Sequence, residues 1–111
     1  MKKMRPGMKF SPGDVILTYV QSADSFELKK RPALVLFEEF SNVVVADITS
    51  NTDMQGIPLT PEEGAIKKSV IKLNYLYTIS SFMIEKRLFS LSKSKKKIVR
   101  SGLVSRLSAL E

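Results

Sequence analysis

Residues 30–51 read Lys30-Arg31-Pro32-Ala33-Leu34-Val35-Leu36-Phe37, then Glu38-Glu39-Phe40-Ser41, then Asn42-Val43-Val44-Val45-Ala46-Asp47-Ile48-Thr49-Ser50-Asn51. The run Pro32–Phe37 is almost wholly apolar, the pattern of a strand covered on both faces. Its leading Pro suits a strand start, where the missing N–H costs least. Glu38–Ser41 turns the chain, and the β-branched stretch Asn42–Ser50 forms the next strand. Period two places Val43, Val45, Asp47 and Thr49 on one face and Val44, Ala46, Ile48 and Ser50 on the other.

Upstream, Asp14–Gln21 (DVILTYVQ) is a strand entered through the turn signal Pro12-Gly13. Ser22–Lys30 is polar and aperiodic and reads as a loop, and Met1–Ser11 as a basic, mobile arm. Downstream, 51–68 holds two Pro and two Gly and is mostly loop, with room for a short edge strand at 56–60. Ser69–Asn74 is a fourth strand, with Val70, Lys72 and Asn74 on one face. Tyr75–Ile79 continues it after a bend, and Lys86–Leu91 adds a short strand.

The C-terminal segment has helical spacing: Val99, Leu103, Leu107 and Leu110, with Ile98 and Val104 beside them. Ser92 or Ser94 caps its start. Gly102 weakens it by about 1 kcal/mol relative to Ala, and can admit another backbone closely. Several short strands and a terminal helix describe a mainly β (α+β) fold: a small, strongly curved barrel with helical cover, one domain over 12–111.

The 111 residues carry a net charge of +7 and are 43% hydrophobic, enough for a core without staples. The positive charge sits at the two ends. Residues 1–12 carry Lys2, Lys3, Arg5 and Lys9 with no acid, and 93–111 carry Lys93, Lys95, Lys96, Lys97, Arg100 and Arg106 against Glu111. Basic ends attract polyanions and also serve solubility. With no Cys and no His, the chain holds no thiolate nucleophile, no imidazole base and no His or Cys metal ligand. That excludes Ser-His-Asp hydrolases, Cys-His proteases and His-metal hydrolases. No apolar run approaches transmembrane length, and the N-terminus lacks the apolar core of a signal peptide, so a cytoplasmic protein is expected.

Three positions carry chemistry. Lys29-Lys30-Arg31-Pro32 places a guanidinium, a planar and permanently charged fork suited to phosphate, where a loop becomes a strand. Thr49-Ser50-Asn51 gives consecutive short polar groups at a strand end, which bind phosphate oxygens or form a turn. Lys72 and Asn74, two residues apart, supply a phosphate cation and a base-reading amide, or a solvated strand face. Lys95–Lys97 in the first helical turn oppose the helix dipole, which favours a polyanion or an acidic protein partner. No phosphate-cradling or dinucleotide Gly motif is present.

Taken in order, Gly13-Asp14-Val15-Ile16-Leu17, Lys30-Arg31-Pro32-Ala33-Leu34-Val35-Leu36, Ile48-Thr49-Ser50-Asn51, Ser69-Val70-Ile71-Lys72-Leu73, Thr78-Ile79 and the C-terminal helix resemble the MazF/PemK family of toxin endoribonucleases. The resemblance spans about residues 12–110. It implies an SH3-like barrel with a C-terminal amphipathic helix, a homodimer, cleavage of single-stranded RNA without a metal or other cofactor, and a cognate antitoxin whose acidic segment fills the RNA groove. The family's catalytic Arg falls on Arg31 and its catalytic Thr on Thr49. Where members commonly have an Arg before the Thr-Ile pair this chain has Tyr77, and where some have an Asp in the fourth strand it has Asn74.

On this reading Arg31 stabilises a phosphorane and Thr49 holds a phosphate oxygen in line. Lys29, Lys30, Ser50, Asn51, Lys72 and Asn74 contact RNA. Asp24 or Glu27, in the loop before Arg31, is the candidate base. Two alternatives use the same barrel: a nucleic-acid-binding module without catalysis, and a toxin directed at a protein.

Overall fold

A computed structural model describes residues 10–21 and 27–111. Among the described residues six strands form one antiparallel sheet: β1 (Asp14–Gln21), β2 (Leu28–Glu39), β3 (Asn42–Thr49), β4 (Ile57–Leu59), β5 (Ser69–Ser80) and β6 (Ile84–Ser90). Their order is β4-β5-β3-β2-β1-β6, and one helix follows, α1 (Lys93–Leu107). The mainly β architecture with a C-terminal helix read from the sequence is the one observed. The sheet curls into a half-barrel, and its edges β4 and β6 are not paired.

The curl is produced by register shifts. They interrupt β1–β6 twice, β2–β3 at Leu36 and β3–β5 between Ala46 and Asp47. Such insertions bend a strand and increase its twist. Curling gives the sheet two buried apolar faces. One holds Val15, Leu34, Ala46, Ile48, Ile71 and Leu73 under α1. The other holds Ile16, Ala33, Val35, Val43, Val45 and Ile79. The alternation read in Asn42–Ser50 is therefore real, and both of its faces are apolar.

β2 is longer than the apolar run. It begins at Leu28, so Lys29, Lys30 and Arg31 lie within a strand and not at the end of a loop. Pairing with β1 (Thr18 opposite Arg31, Tyr19 opposite Lys30) supplies the backbone partners that the local sequence does not advertise. Pro32 stands just before the β2–β3 ladder, which starts at Ala33, a position that tolerates a missing N–H. β6 likewise starts at Ile84, because β1 extends a ladder that far.

β5 is one strand with a large bulge. Asp47 pairs with Lys72 while Ala46 pairs with Leu76, leaving Leu73, Asn74 and Tyr75 unopposed by β3. Period two fails across this interval. Lys72 is buried, its ammonium 5.3 Å from the Tyr75 ring centroid, whereas Asn74 is exposed. The two do not share a solvated face.

Ser92 caps α1, its Oγ accepting the Lys95 N–H at 3.2 Å. The helix ends at Leu107, earlier than the apolar spacing suggested, and a 3₁₀ turn holds Ser108–Leu110. Val99 is buried and Leu103 packs on the core, but Leu107 and Leu110 are exposed. What approaches Gly102 is a side chain and not a backbone: a Cβ there would lie 2.6 Å from Leu73 Cδ1. Lys95, one of the three cations at the helix start, has partners inside the chain. Its Nζ lies 3.2 Å from Glu63 Oε2 and 2.7 Å from the Pro58 carbonyl.

Of the arm expected at 1–11, residues 1–9 lie outside the described residues. Phe10 is buried, and the Ser11 N–H donates to Asp14 Oδ2 at 2.9 Å, so the chain is packed before Pro12. Among the described residues no helix is long and apolar enough to cross a membrane.

Candidate nucleic-acid cleft

The unpaired edges leave a cleft of about 430 Å³, walled by Leu59 of β4 and by Leu88 and Phe89 of β6. Arg31 and Thr49 both line it. Their meeting follows from register: Ala33 pairs with Asp47, and Arg31 and Thr49 each stand two residues beyond that pair on neighbouring antiparallel strands. Lys29, Lys30, Ser50, Lys67 and Ser69 complete the polar lining. The cleft thus has apolar walls and a cationic rim, which suits a ligand of flat rings and phosphates.

Thr49 Oγ1 accepts the Asn51 N–H at 3.1 Å, which leaves its hydroxyl proton available to donate. Asn51 Oδ1 accepts the Asp53 N–H at 3.1 Å, so this side chain builds the turn after β3, and Asn51 does not line the cleft. Lys30 Nζ pairs with Glu85 Oε1 at 3.1 Å, and its pKa is raised by the hydrogen bond and charge of that carboxylate. Much of its charge is therefore answered within the chain, while Lys29 and Lys67 are exposed.

Arg31 has a second neighbour. Its Nη2 lies 3.7 Å from Asp47 Oδ2, a diagonal contact across β2 and β3. Burial raises the Asp47 pKa above its ordinary value, partly offset by Arg31, the Ile48 N–H and Lys72. Tyr77, on β5, is pushed up to about 12 by burial and then by the Asp47 carboxylate, with Arg31 acting the other way. The Tyr77 hydroxyl oxygen is buried and has no hydrogen-bond partner among the described residues. Arg31, Asp47 and Tyr77 line a second pocket of about 580 Å³, which adjoins the cleft through Arg31.

Of the candidate site residues, the cleft gathers Arg31, Thr49, Lys29, Lys30 and Ser50. Lys72, Asn74, Asn51 and Glu27 do not line it, and Asp24 lies outside the described residues. Sequence reading passed over Asp47, Tyr77 and Lys67 as site residues. The signal for Asp47 was an acid between Ala46 and Ile48, two residues before Thr49, in an otherwise apolar strand. Lys67 carried no signal, since nothing local shows which loop cations face a cleft. Among the described residues no group of three or more His, Cys, Asp or Glu could hold a metal ion.

The family model of PemK-like, MazF-like toxins of type II toxin–antitoxin systems matches residues 11–107. The chain belongs to this family. The fold of this MazF/PemK toxin is shared by solved structures. In a MazE–MazF complex from Deinococcus radiodurans the TM-score is 0.70 at 20% identity, covering 86% of this chain and 93% of that one. For the Mycobacterium tuberculosis toxin MazF-mt6 it is 0.62 at 22% identity, covering 82% and 93%. An endoribonuclease in complex with its cognate antitoxin, from a mycobacterial species, gives 0.65 at 13% identity, covering 86% and 90%. Comparison with curated proteins finds no match.

Proposed function

We propose that this toxin is a metal-independent endoribonuclease acting on single-stranded RNA. The observation that carries the reading is the convergence of Arg31 and Thr49, 18 positions apart in the sequence, on one cleft open to solvent. In the proposed reaction the substrate's own 2′-oxygen attacks the adjacent phosphorus as its proton leaves to a base. The P–O5′ bond breaks, the 5′-oxygen takes up a proton, and a 2′,3′-cyclic phosphate remains. Arg31 stabilises the charge that develops on the phosphorane oxygens. The Thr49 hydroxyl donates to a non-bridging oxygen and holds the phosphate in line. Lys29 and Lys67 bind flanking phosphates. Among the described residues no carboxylate lines the cleft: of the two candidate bases Glu27 is exposed one residue before β2 and off the lining, and Asp24 lies outside the described residues.

The partners proposed are single-stranded RNA, an antitoxin with an acidic segment that occupies the cationic cleft, and a second copy of the chain, all in the cytoplasm. Solved neighbours that carry an antitoxin support the second. An apolar groove of about 640 Å³ between α1 and the sheet, with Leu76, Val104 and Leu107 exposed beside it, supports the third.

Purified protein incubated with a mixed-sequence single-stranded RNA should generate new internal ends that map to defined positions. Bound but intact RNA would instead favour a binding module, the reading motivated by Tyr77 and Asn74. Growth arrest with intact RNA and no binding would favour a protein-directed toxin.

A further inference from the structure

We infer that Asp47 is a positioning residue for Arg31: its carboxylate, fixed in the sheet, anchors one edge of the guanidinium so that the remaining N–H groups face the phosphate. The inference rests on the RNA reading above and deepens it, adding to Arg31 and Thr49 a residue that acts from outside the cleft.

An arginine that reaches into solvent turns about many bonds, whereas a transition state gains only from a donor already in place. The Arg31 side chain is 44% exposed, and its one ion pair among the described residues is with Asp47, Nη2 to Oδ2 at 3.7 Å. Asp47 is the stationary partner. Its side chain is 19% exposed, and it stands on β3 between two neighbouring strands, opposite Ala33 of β2 and Lys72 of β5. Asp47 and Thr49, two residues apart on β3, flank the line on which Arg31 sits: Thr49 level with it, Asp47 one diagonal step away. At 3.7 Å the contact is an ion pair longer than a hydrogen bond, so it orients the guanidinium without occupying its donors. A contact at Nη2 leaves Nε and Nη1 of the planar fork for phosphate oxygens. Arg31 lines both the cleft and the pocket that holds Asp47, as a side chain does when it is tethered on one side and works on the other.

The tether holds only while Asp47 is ionised. The charged and titratable groups facing it are Arg31 from β2 and Lys72 and Tyr77 from β5. Burial raises its pKa above the ordinary 3.8, and the two cations and the Ile48 N–H offset that only in part. Asp47 therefore takes up its proton at a higher pH than an ordinary aspartate, and on doing so releases Arg31.

Steady-state cleavage of one single-stranded RNA by the wild type, Asp47→Asn, Arg31→Ala and the double variant tests this. Asp47→Asn keeps the size of the side chain and removes its charge. It should lower kcat by about 10–100-fold and move KM by less than about threefold. Added to Arg31→Ala it should cost nothing further, because the carboxylate then has nothing to hold. In the wild type kcat should fall as the pH drops through the Asp47 pKa, and Asp47→Asn should lack that limb. A carboxyl ¹³C NMR titration needs no RNA: Asp47 should titrate above 3.8 in the wild type and higher still in Arg31→Ala. Four results would overturn the inference: kcat unchanged or raised in Asp47→Asn, KM lowered by more than about threefold (the mark of a carboxylate that competes with phosphate for Arg31), equal losses with and without Arg31, or an Asp47 titration indifferent to Arg31→Ala. If the wild type leaves RNA intact, the nuclease reading falls and the inference with it. If the wild type cuts and Asp47→Asn cuts as fast, the inference falls alone.

Discussion

Asp14 Oδ2 accepts a hydrogen bond from Arg87 Nε at 2.9 Å, tying the first residue of β1 to the middle of the edge strand β6. The same carboxylate accepts from Ser90 Oγ at 2.7 Å and from the Ser11 N–H at 2.9 Å. Burial would raise the Asp14 pKa, but the bonds from Ser90, Ser11 and Arg87 outweigh it and hold the carboxyl below 3.8. A carboxyl lowered in the folded state contributes stability above its unfolded pKa and loses it as pH falls through the folded value. Thermal stability should therefore weaken below about pH 4. Asp14→Asn should cost about 2 kcal/mol at neutral pH, as expected for bonds to a charged group, and flatten the acid side of the profile. An acid limb of unchanged steepness in the variant would remove Asp14 from the account.

Arg31→Ala should lower cleavage of unstructured RNA by about 10²–10³, the usual cost of one transition-state donor. Its side chain is 44% exposed, so the melting temperature should move little. Thr49→Val, which preserves shape and removes the hydroxyl, should lower turnover more than RNA affinity. Wild-type rates in Arg31→Ala, measured on the same substrate, would refute the proposed mechanism.

Cleavage should persist in excess chelator and show no inflection near pH 6.5 from an imidazole, since the chain contains no His. Loss of activity in chelator that added metal restores is the contrary result.

Salt dependence distinguishes cations in the cleft from those that merely share its sheet. Lys29→Ala and Lys67→Ala should each reduce the log–log salt slope of RNA binding by about 0.7, the value for one single-strand phosphate contact. Lys72 is buried under the β5 bulge, so Lys72→Met should leave that slope unchanged. A slope change for Lys72 equal to that for Lys67 would contradict the burial observed here.

The β2–β3 hairpin turns on Phe40 and Ser41, whose φ angles are +50° and +68°. Left-handed geometry costs an L-residue about 1–2 kcal/mol, and Asn-Gly is the pair such a turn prefers. Phe40 is 97% exposed, so its removal sacrifices no packing. Replacing the pair by Asn-Gly should stabilise the protein by about 1 kcal/mol, a rise of about 4–8 °C in Tm by differential scanning calorimetry. A fall in Tm would show that the phenyl ring has a structural partner after all.

The strands that sequence reading located are those whose signal is local. Asn42–Ser50 alternates because both faces of β3 meet apolar layers, and Pro32–Phe37 is continuous for the same reason in β2. The pairing of Arg31 with Thr49 was also within reach, because the motif flanks quoted for the family resemblance carry both residues. Strand ends were not legible. Leu28–Arg31 has no apolar pattern and becomes strand only because β1 offers it a ladder.

By itself the sequence determined a mainly β chain with a capped C-terminal helix, no imidazole or thiol chemistry, and positive charge at its ends. Tertiary structure alone decided that Lys72 is buried while Asn74 is not, and that Asp47 and Tyr77 flank Arg31. The physical reason is range: period and capping are set by neighbours along the chain, whereas a bulge is set by which residues a distant strand can pair. Between Ala46 and Asp47 that pairing jumps from Leu76 to Lys72, and with it the address of every side chain on β5.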